Sequence, residues 1–93
     1  MDKADAVTIA DERLRELRTV PWDELRLRFV DGSELTEVRR RGVTYQVKTY
    51  AHWDDRREGD LRVCVAVDDG GFRAFMPVVR DFIVRRDGTF VDE

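Results

Sequence analysis

The sequence predicts an α+β fold in which an N-terminal α-helix packs on one face of a curved antiparallel β-meander of about five strands. Two observations lead to this prediction. From Leu25 to Met76, apolar and polar residues alternate with the period of a β-strand, and short turn-forming pairs interrupt the alternation. When the segments are folded at those turns, their apolar positions fall on one side of the sheet, an agreement that a one-residue shift would destroy. We expect residues 1–93 to form one small globular domain.

The N-terminal helix is predicted over about residues 6–19. Thr8 is the expected N-cap, and Pro21 should end the helix near Thr19, because the residue before a proline avoids helical geometry. A helix this short is marginal by itself, so we expect the sheet to bury its apolar side. That side is a stripe of residues at helical spacing, Val7, Ala10, Leu14 and Leu17.

The first two strands are predicted over about residues 24–30 and 33–40. The pair Asp31-Gly32 between them is a strong signal for a two-residue hairpin turn. A second helix that begins at Pro21 is the alternative, because the apolar residues of this segment also fit a helical period. Those residues are Trp22, Leu25 and Phe29.

The next two strands are predicted over about residues 43–53 and 61–68. A turn at Arg41-Gly42 precedes the first of them, and the loop 54–60 joins the two. Folding at these connections determines which residues face each other across the strands. The predicted pairs are Arg40 with Val43, Val38 with Tyr45, Thr36 with Val47, Trp53 with Leu61, Ala51 with Val63, and Thr49 with Val65.

A further strand is predicted over about residues 72–76, after a turn at Asp69-Gly70. This strand would place Phe72 opposite Val67 and Ala74 opposite Val65. A short strand or extended tail follows over residues 82–91, with a turn at Asp87-Gly88 and Phe90 folded back. The predicted buried face comprises Leu25, Leu27, Phe29, Val38, Tyr45, Val47, Ala51, Trp53, Leu61, Val63, Val65, Val67, Phe72 and Met76.

The composition argues against several classes of partner. Charged residues make up 40% of the chain, but the net charge is only −3 and both signs are interspersed. This mild, mixed balance gives no electrostatic basis for binding nucleic acid or an anionic membrane. The single cysteine allows no internal disulfide, and no signal peptide or membrane-spanning run is recognisable. We expect a cytoplasmic protein, and the excess of arginine over lysine suggests a GC-rich bacterial genome.

Few side chains offer a basis for catalysis or metal binding. Ser33 is the only serine and His52 the only histidine, which excludes a Ser-His-Asp triad. Cys64 lies diagonal to His52 on one predicted face, but a free cysteine more often simply fills a strand position. The acidic loop 54–60 contains two arginines and matches neither a calcium loop nor a zinc site. We therefore predict no catalytic residue, no cofactor and no metal site.

The face of the sheet opposite the helix is the predicted functional feature. It presents an apolar centre surrounded by polar residues, which is typical of a protein-binding surface. The sequence therefore predicts a protein-interaction or assembly module that binds a second copy of itself or another protein. The candidate interaction residues are Leu35, Tyr50, Cys64 and Phe75.

Two alternatives stay open for this face. The chain could be a small-molecule binder or weak enzyme with a pocket near Tyr50, His52 and Cys64. Alternatively, the segment that contains Val79, Phe82 and Ile83 could fold over the face and turn it into a second small core.

Overall fold

Two helices cover one face of a four-stranded antiparallel sheet. In the computed structural model, which describes residues 2–71 and 76–91, the elements are α1 (Lys3–Leu17), α2 (Trp22–Phe29), β1 (Glu34–Arg40), β2 (Val43–Trp53), β3 (Leu61–Asp68) and β4 (Val78–Val84). The strands lie in the order β1-β2-β3-β4 and connect as a meander. The predicted α+β class is confirmed, with four strands among the described residues where the sequence predicted about five.

Helix α1 begins earlier than predicted. Its N-cap is Asp2 and not Thr8, because the Asp2 carboxylate accepts a hydrogen bond from the Asp5 amide at 3.1 Å. Thr8 lies inside the helix, where its hydroxyl donates to the carbonyl of Ala4. Aspartate caps a helix at least as well as threonine, and the residues that follow Asp2 are alanine-rich, so the helix extends to it. It ends at Leu17, close to the predicted end.

The predicted strand over residues 24–30 is wrong, because residues 24–29 belong to helix α2 and Val30 is its C-cap. The carbonyl of Pro21 accepts the first helical hydrogen bond, and the acidic first turn and basic last turn suit the helix dipole. Leu27, predicted to be buried, points away from the core and is 68% exposed. Both patterns fit these apolar positions, and leucine, arginine and glutamate are strong helix formers. The buried residues are those of the helical alternative, Trp22, Leu25 and Phe29.

The predicted register of β1, β2 and β3 is confirmed. All the pairs predicted across these strands are present, for example Val38 opposite Tyr45 and Ala51 opposite Val63. The turn between β1 and β2 lies at Arg41-Gly42, with φ angles of 52° and 79°. Two successive positive φ angles are typical of a type I′ turn, whose twist matches that of the strands it joins.

The partner of β3 on its second edge is β4, which the sequence did not predict as a strand from Val78 onward. Val67 faces Val78 and Val65 faces Arg80, so the predicted pairings of these valines with Phe72 and Ala74 are wrong. Residues 72–75 of the predicted strand lie outside the described residues. Met76, predicted to be buried, is 75% exposed and lies in a bend.

The segment after β4 folds back as predicted. Asp87-Gly88 forms the turn, with Gly88 at φ 92°. Phe90 forms a β-bridge with Val84, and its ring packs edge-on against Phe82 at a centroid distance of 5.5 Å. The tail therefore extends the core at the end of the sheet.

The core lies between the two helices and the sheet. The indole N–H of Trp22 donates to the carbonyl of Gly59 at 3.2 Å, which attaches the loop 54–60 to α2. Because both helices pack on the same side, the opposite side of the sheet is covered by no described helix. The buried apolar residues are Ala6, Ile9, Ala10, Leu14, Leu17, Trp22, Leu25, Phe29, Tyr45, Val47, Ala51, Leu61, Val63, Val65, Val67, Phe82 and Val84.

Candidate interaction surface

The outer face is the side of the sheet opposite the helices. Successive side chains of a strand point to opposite sides, so the neighbours of the core positions define this face. It comprises Leu35, Glu37 and Arg39 of β1, Thr44, Gln46, Lys48, Tyr50 and His52 of β2, Arg62, Cys64, Ala66 and Asp68 of β3, and Val79, Asp81 and Ile83 of β4.

One row of the outer face runs across all four strands and carries its most exposed apolar groups. In this row Leu35 lies opposite Lys48, Lys48 opposite Ala66, and Ala66 opposite Val79. Leu35 is 66% exposed and Val79 is 47% exposed. Lys48 lies between Leu35 and Ala66 in this row, and its ammonium lies 5.8 Å from the centroid of the Tyr50 ring. We call the other three residues, Leu35, Ala66 and Val79, the apolar row.

The next row contains Tyr50 and Cys64, which face each other across β2 and β3. Burial raises the pKa of the Cys64 thiol, and the nearby Asp81 carboxylate raises it further. Burial also raises the pKa of Tyr50, with a smaller contribution from Cys64. Both groups are therefore neutral at neutral pH. Cys64 is only 3% exposed, so its thiol offers almost no contact area.

The structure argues against a catalytic dyad of Cys64 and His52. His52 lies opposite Arg62 and is exposed, whereas Cys64 lies opposite Tyr50 and is buried. A reactive cysteine needs a lowered thiol pKa and some exposure, and Cys64 has neither. A cleft of about 600 Å³ is lined by α1 and residues 76–80. A second cleft of about 280 Å³ is lined by α1 and by inward-facing residues of β1 and β2. Neither cleft is lined by Tyr50, His52 or Cys64.

Arg62 organises the charges at one end of the outer face. Its guanidinium donates to Asp54 Oδ1 at 2.8 Å and to Asp81 Oδ2 at 2.9 Å, and these bonds raise the pKa of Arg62. Across the whole outer face, three cationic and three anionic side chains are present. The face is therefore balanced in charge. Lys48 lies between two members of the apolar row, and the other charged groups of the face lie in neighbouring rows. Those other groups are Arg39, Arg62, Glu37, Asp68 and Asp81.

Two carboxylates of the acidic loop 54–60 form ion pairs. Asp54 accepts from Arg62, and Glu58 lies 3.3 Å from Arg26. Among the described residues, no three histidine, cysteine or carboxylate side chains are grouped so that they could hold a metal ion. In the same part of the chain, no helix has the length and apolar character needed to cross a membrane.

The four candidate interaction residues differ in where they lie. Tyr50 and Cys64 are neighbours, Leu35 lies in the adjacent apolar row, and Phe75 is outside the described residues. Val79 and Ile83, which the sequence considered only as a possible cover, belong to β4 and widen the face. The adjacent apolar residues Val78-Val79 and Phe82-Ile83 were a usable signal, because a strand with apolar groups on both sides loses its alternation.

No family model, curated protein or solved structure matches this chain. Its function must therefore be argued from the outer face itself.

Proposed function

We propose that this chain is a protein-interaction and assembly module whose outer face packs against the outer face of a second copy. The observation that carries the proposal is the apolar row, in which Leu35 and Val79 expose large side chains on a face that no described helix covers. Exposed apolar side chains among polar groups are common at protein interfaces. Here the two exposed apolar side chains lie on the outer strands β1 and β4, with Lys48 and Ala66 between them. Two sheets that pack face to face would bury both rows in one layer.

The charge balance supports a second copy as the occupant. Three cations and three anions on the outer face mean that two copies meet without net repulsion. A nucleic acid or an anionic membrane would require an excess of cations on the surface it contacts. In a two-fold contact the same patch serves both copies, and a face with both signs can complement itself.

The size of the face predicts reversible association. Four strands of about seven residues, spaced about 4.8 Å apart, give a projected area of about 450 Å². A stable interface buries about 800 Å² on each partner. We therefore expect the assembly to depend on protein concentration.

The test compares lysine substitutions at three exposed apolar positions. Leu35→Lys and Val79→Lys place a charge in the apolar row, and each should raise the dissociation constant of the assembly more than tenfold, because burying a leucine or valine contributes about 1.5–3 kcal/mol. Leu27→Lys is the matched control, since Leu27 is 68% exposed on α2 and Leu35 is 66% exposed on the outer face. Light scattering over a hundredfold range of concentration gives the mass of each variant.

The proposal is wrong if the unaltered chain is monomeric over this whole range. It is also wrong if Leu27→Lys weakens assembly as much as the two outer-face substitutions do.

A further inference from the structure

Strand β1 is an edge strand that the rest of the fold leaves largely uncovered. Its seven residues pair with β2 on one side only, and none of them is buried. The helices pack mainly over β2, β3 and β4. A strand edge of this kind presents backbone N–H and C=O groups to which another strand can bond.

The charges on β1 complement each other when the strand is paired with itself. Side chains opposite each other in a continuous sheet must share a face, so the possible antiparallel registers differ by steps of two residues. A register centred on Val38 places Glu37 opposite Arg39 of the second copy, and the same pair forms again on the other side of the centre. Opposite charges at facing positions stabilise a strand pair.

The neighbouring registers lack this complementarity. Centring on Glu37 would bring two Glu37 carboxylates together, and centring on Arg39 would bring two Arg39 guanidinium groups together. Facing like charges are destabilising. Centring on Thr36 would place Glu37 opposite Leu35 of the second copy and Arg39 opposite Ser33, so neither charge would meet an opposite one. Charge on an edge strand usually protects it against pairing, but here one register turns the charges into attractive pairs.

We propose that β1 pairs with β1 of a second copy, antiparallel and centred on Val38. The two four-stranded sheets then form one continuous sheet of eight strands. On the helix side, the two Val38 side chains meet next to the cleft of about 280 Å³, where Ile9 and Val47 supply apolar neighbours. On the other side, the two outer faces lie next to each other in one surface of double width.

This pairing does not depend on the face-to-face contact proposed above. β1 pairing alone gives a dimer, and so does outer-face packing alone. If both contacts form and their two-fold axes cross at a right angle, a closed assembly of four copies results. The two proposals can therefore fail separately.

Cysteine substitutions along β1 test the register directly, in a Cys64→Ala background. Facing Cα atoms in an antiparallel pair lie about 4.5–5.5 Å apart, which a disulfide can span. We expect Val38→Cys to form a disulfide-linked dimer at least tenfold faster than its two neighbours, Glu37→Cys and Arg39→Cys, whose partners would each be displaced along the strand by about 7 Å. Fastest linking at Glu37→Cys or Arg39→Cys would overturn the register, and equal or absent linking at all three would overturn the pairing.

A charge exchange provides the second test. Glu37→Arg or Arg39→Glu alone would place like charges opposite each other at both flanks of the centre, and each should raise the dissociation constant of the β1 contact at least tenfold. The double variant E37R/R39E restores opposite charges and should restore the mass of the assembly in light scattering. Because Glu37 and Arg39 also belong to the outer face, the rate of disulfide linking at Val38→Cys in each variant shows whether the β1 contact itself has changed. Both positions are exposed, and circular dichroism checks that each variant is folded.

Val79→Lys separates the two proposed contacts, because Val79 lies on β4, the far strand of the sheet. If this substitution alone abolishes assembly while Glu37→Arg has no effect, then the outer face forms the contact and the β1 proposal is wrong. If E37R/R39E is no better than the single variants, the charge complementarity is wrong. Restored mass in the double variant, together with fastest linking at Val38→Cys, establishes the pairing.

Discussion

Tyr45 carries a polar group in the core that the described residues do not satisfy. Its side chain is fully buried, and its hydroxyl has no hydrogen-bond partner among them. A buried hydroxyl without a partner costs about 1–3 kcal/mol of desolvation, whereas its ring contributes to packing. We predict that Tyr45→Phe leaves the free energy of unfolding unchanged or raises it by about 1 kcal/mol. Urea unfolding measures the difference.

The control for this prediction is Tyr50→Phe on the other side of β2. The Tyr50 side chain interacts with Cys64, so removing its hydroxyl should not stabilise the protein. A loss of more than about 1 kcal/mol for Tyr45→Phe would contradict the prediction. The sequence could place Tyr45 in the core from its parity on β2, but the state of its hydroxyl depends on groups from several elements.

Cys64 illustrates how far the pattern of residues can predict a single side chain. Its parity on β3 placed it on the outer face opposite Tyr50, and the pairing is confirmed. The alternation of residues did not predict that Cys64 is buried, because its burial depends on how Tyr50, Asp81 and their neighbours pack around the thiol. The same packing raises the thiol pKa, which a list of nearby residues alone does not determine.

At the scale of elements, the connections at Asp31-Gly32 and Arg41-Gly42 have different backbone geometry. Gly42 has φ 79° in the type I′ turn, whereas Gly32 joins α2 to β1 without a positive φ. A Cβ at Gly42 would meet no atom within 4 Å, so its cost is purely conformational. We predict that Gly42→Ala lowers the free energy of unfolding by about 1 kcal/mol or more, because alanine resists positive φ.

Gly32→Ala is the matched control and should change the stability less. Its Cβ would lie 3.4 Å from the carbonyl oxygen of Arg28, an ordinary contact. Thermal unfolding of both variants gives the comparison. Equal losses at Gly42 and Gly32 would mean that the turn geometry is not the source of the effect.

The sequence alone could not settle two elements, one whose apolar spacing fits two periods and one that shows no alternation. The segment that forms α2 has leucines and a phenylalanine that suit a strand by alternation and a helix by spacing. β4 has apolar residues on both faces, Phe82 and Val84 inward and Val79 and Ile83 outward, so it shows no alternation. By contrast, β2 and β3 alternate cleanly, and their spans and register were predictable.

At the scale of the whole molecule, the sequence indicated which face would be free but not its full composition. The location of the outer face followed from the parity of β2 and β3. Its far edge did not, because the sequence assigned the place next to β3 to residues 72–76 instead of β4. As a result Val79, which completes the apolar row, was absent from the candidate residues.

A network of charged groups ties the two helices to the sheet. Glu34 of β1 accepts hydrogen bonds from Arg28 of α2 at 2.9 Å and from Arg13 of α1 at 3.3 Å. Arg13 also donates to Thr49 of β2 at 3.2 Å. The hydrogen bonds from Arg28 hold the pKa of Glu34 below its ordinary value of 4.5, although partial burial opposes them. The Glu34 carboxylate therefore joins β1 to both helices, and Arg13 connects this network to β2.

The lowered pKa of Glu34 gives the stability a defined dependence on pH. A carboxylate with a lowered pKa in the folded state contributes stability that is complete above its unfolded value near 4.5 and is lost as the pH falls through the folded value. We predict that Glu34→Gln lowers the free energy of unfolding by up to about 1 kcal/mol at neutral pH, a size limited by the partial exposure of the pair. This difference should shrink towards zero as the pH falls below the lowered pKa of Glu34, where the carboxyl group of the unaltered chain is itself protonated. Urea unfolding across this range measures it, with Glu37→Gln as control, because the Glu37 side chain bonds to Gln46 and to no described arginine of its own chain. A deficit for Glu34→Gln that stays constant with pH would show that the loss comes from packing and not from the charge of the carboxylate.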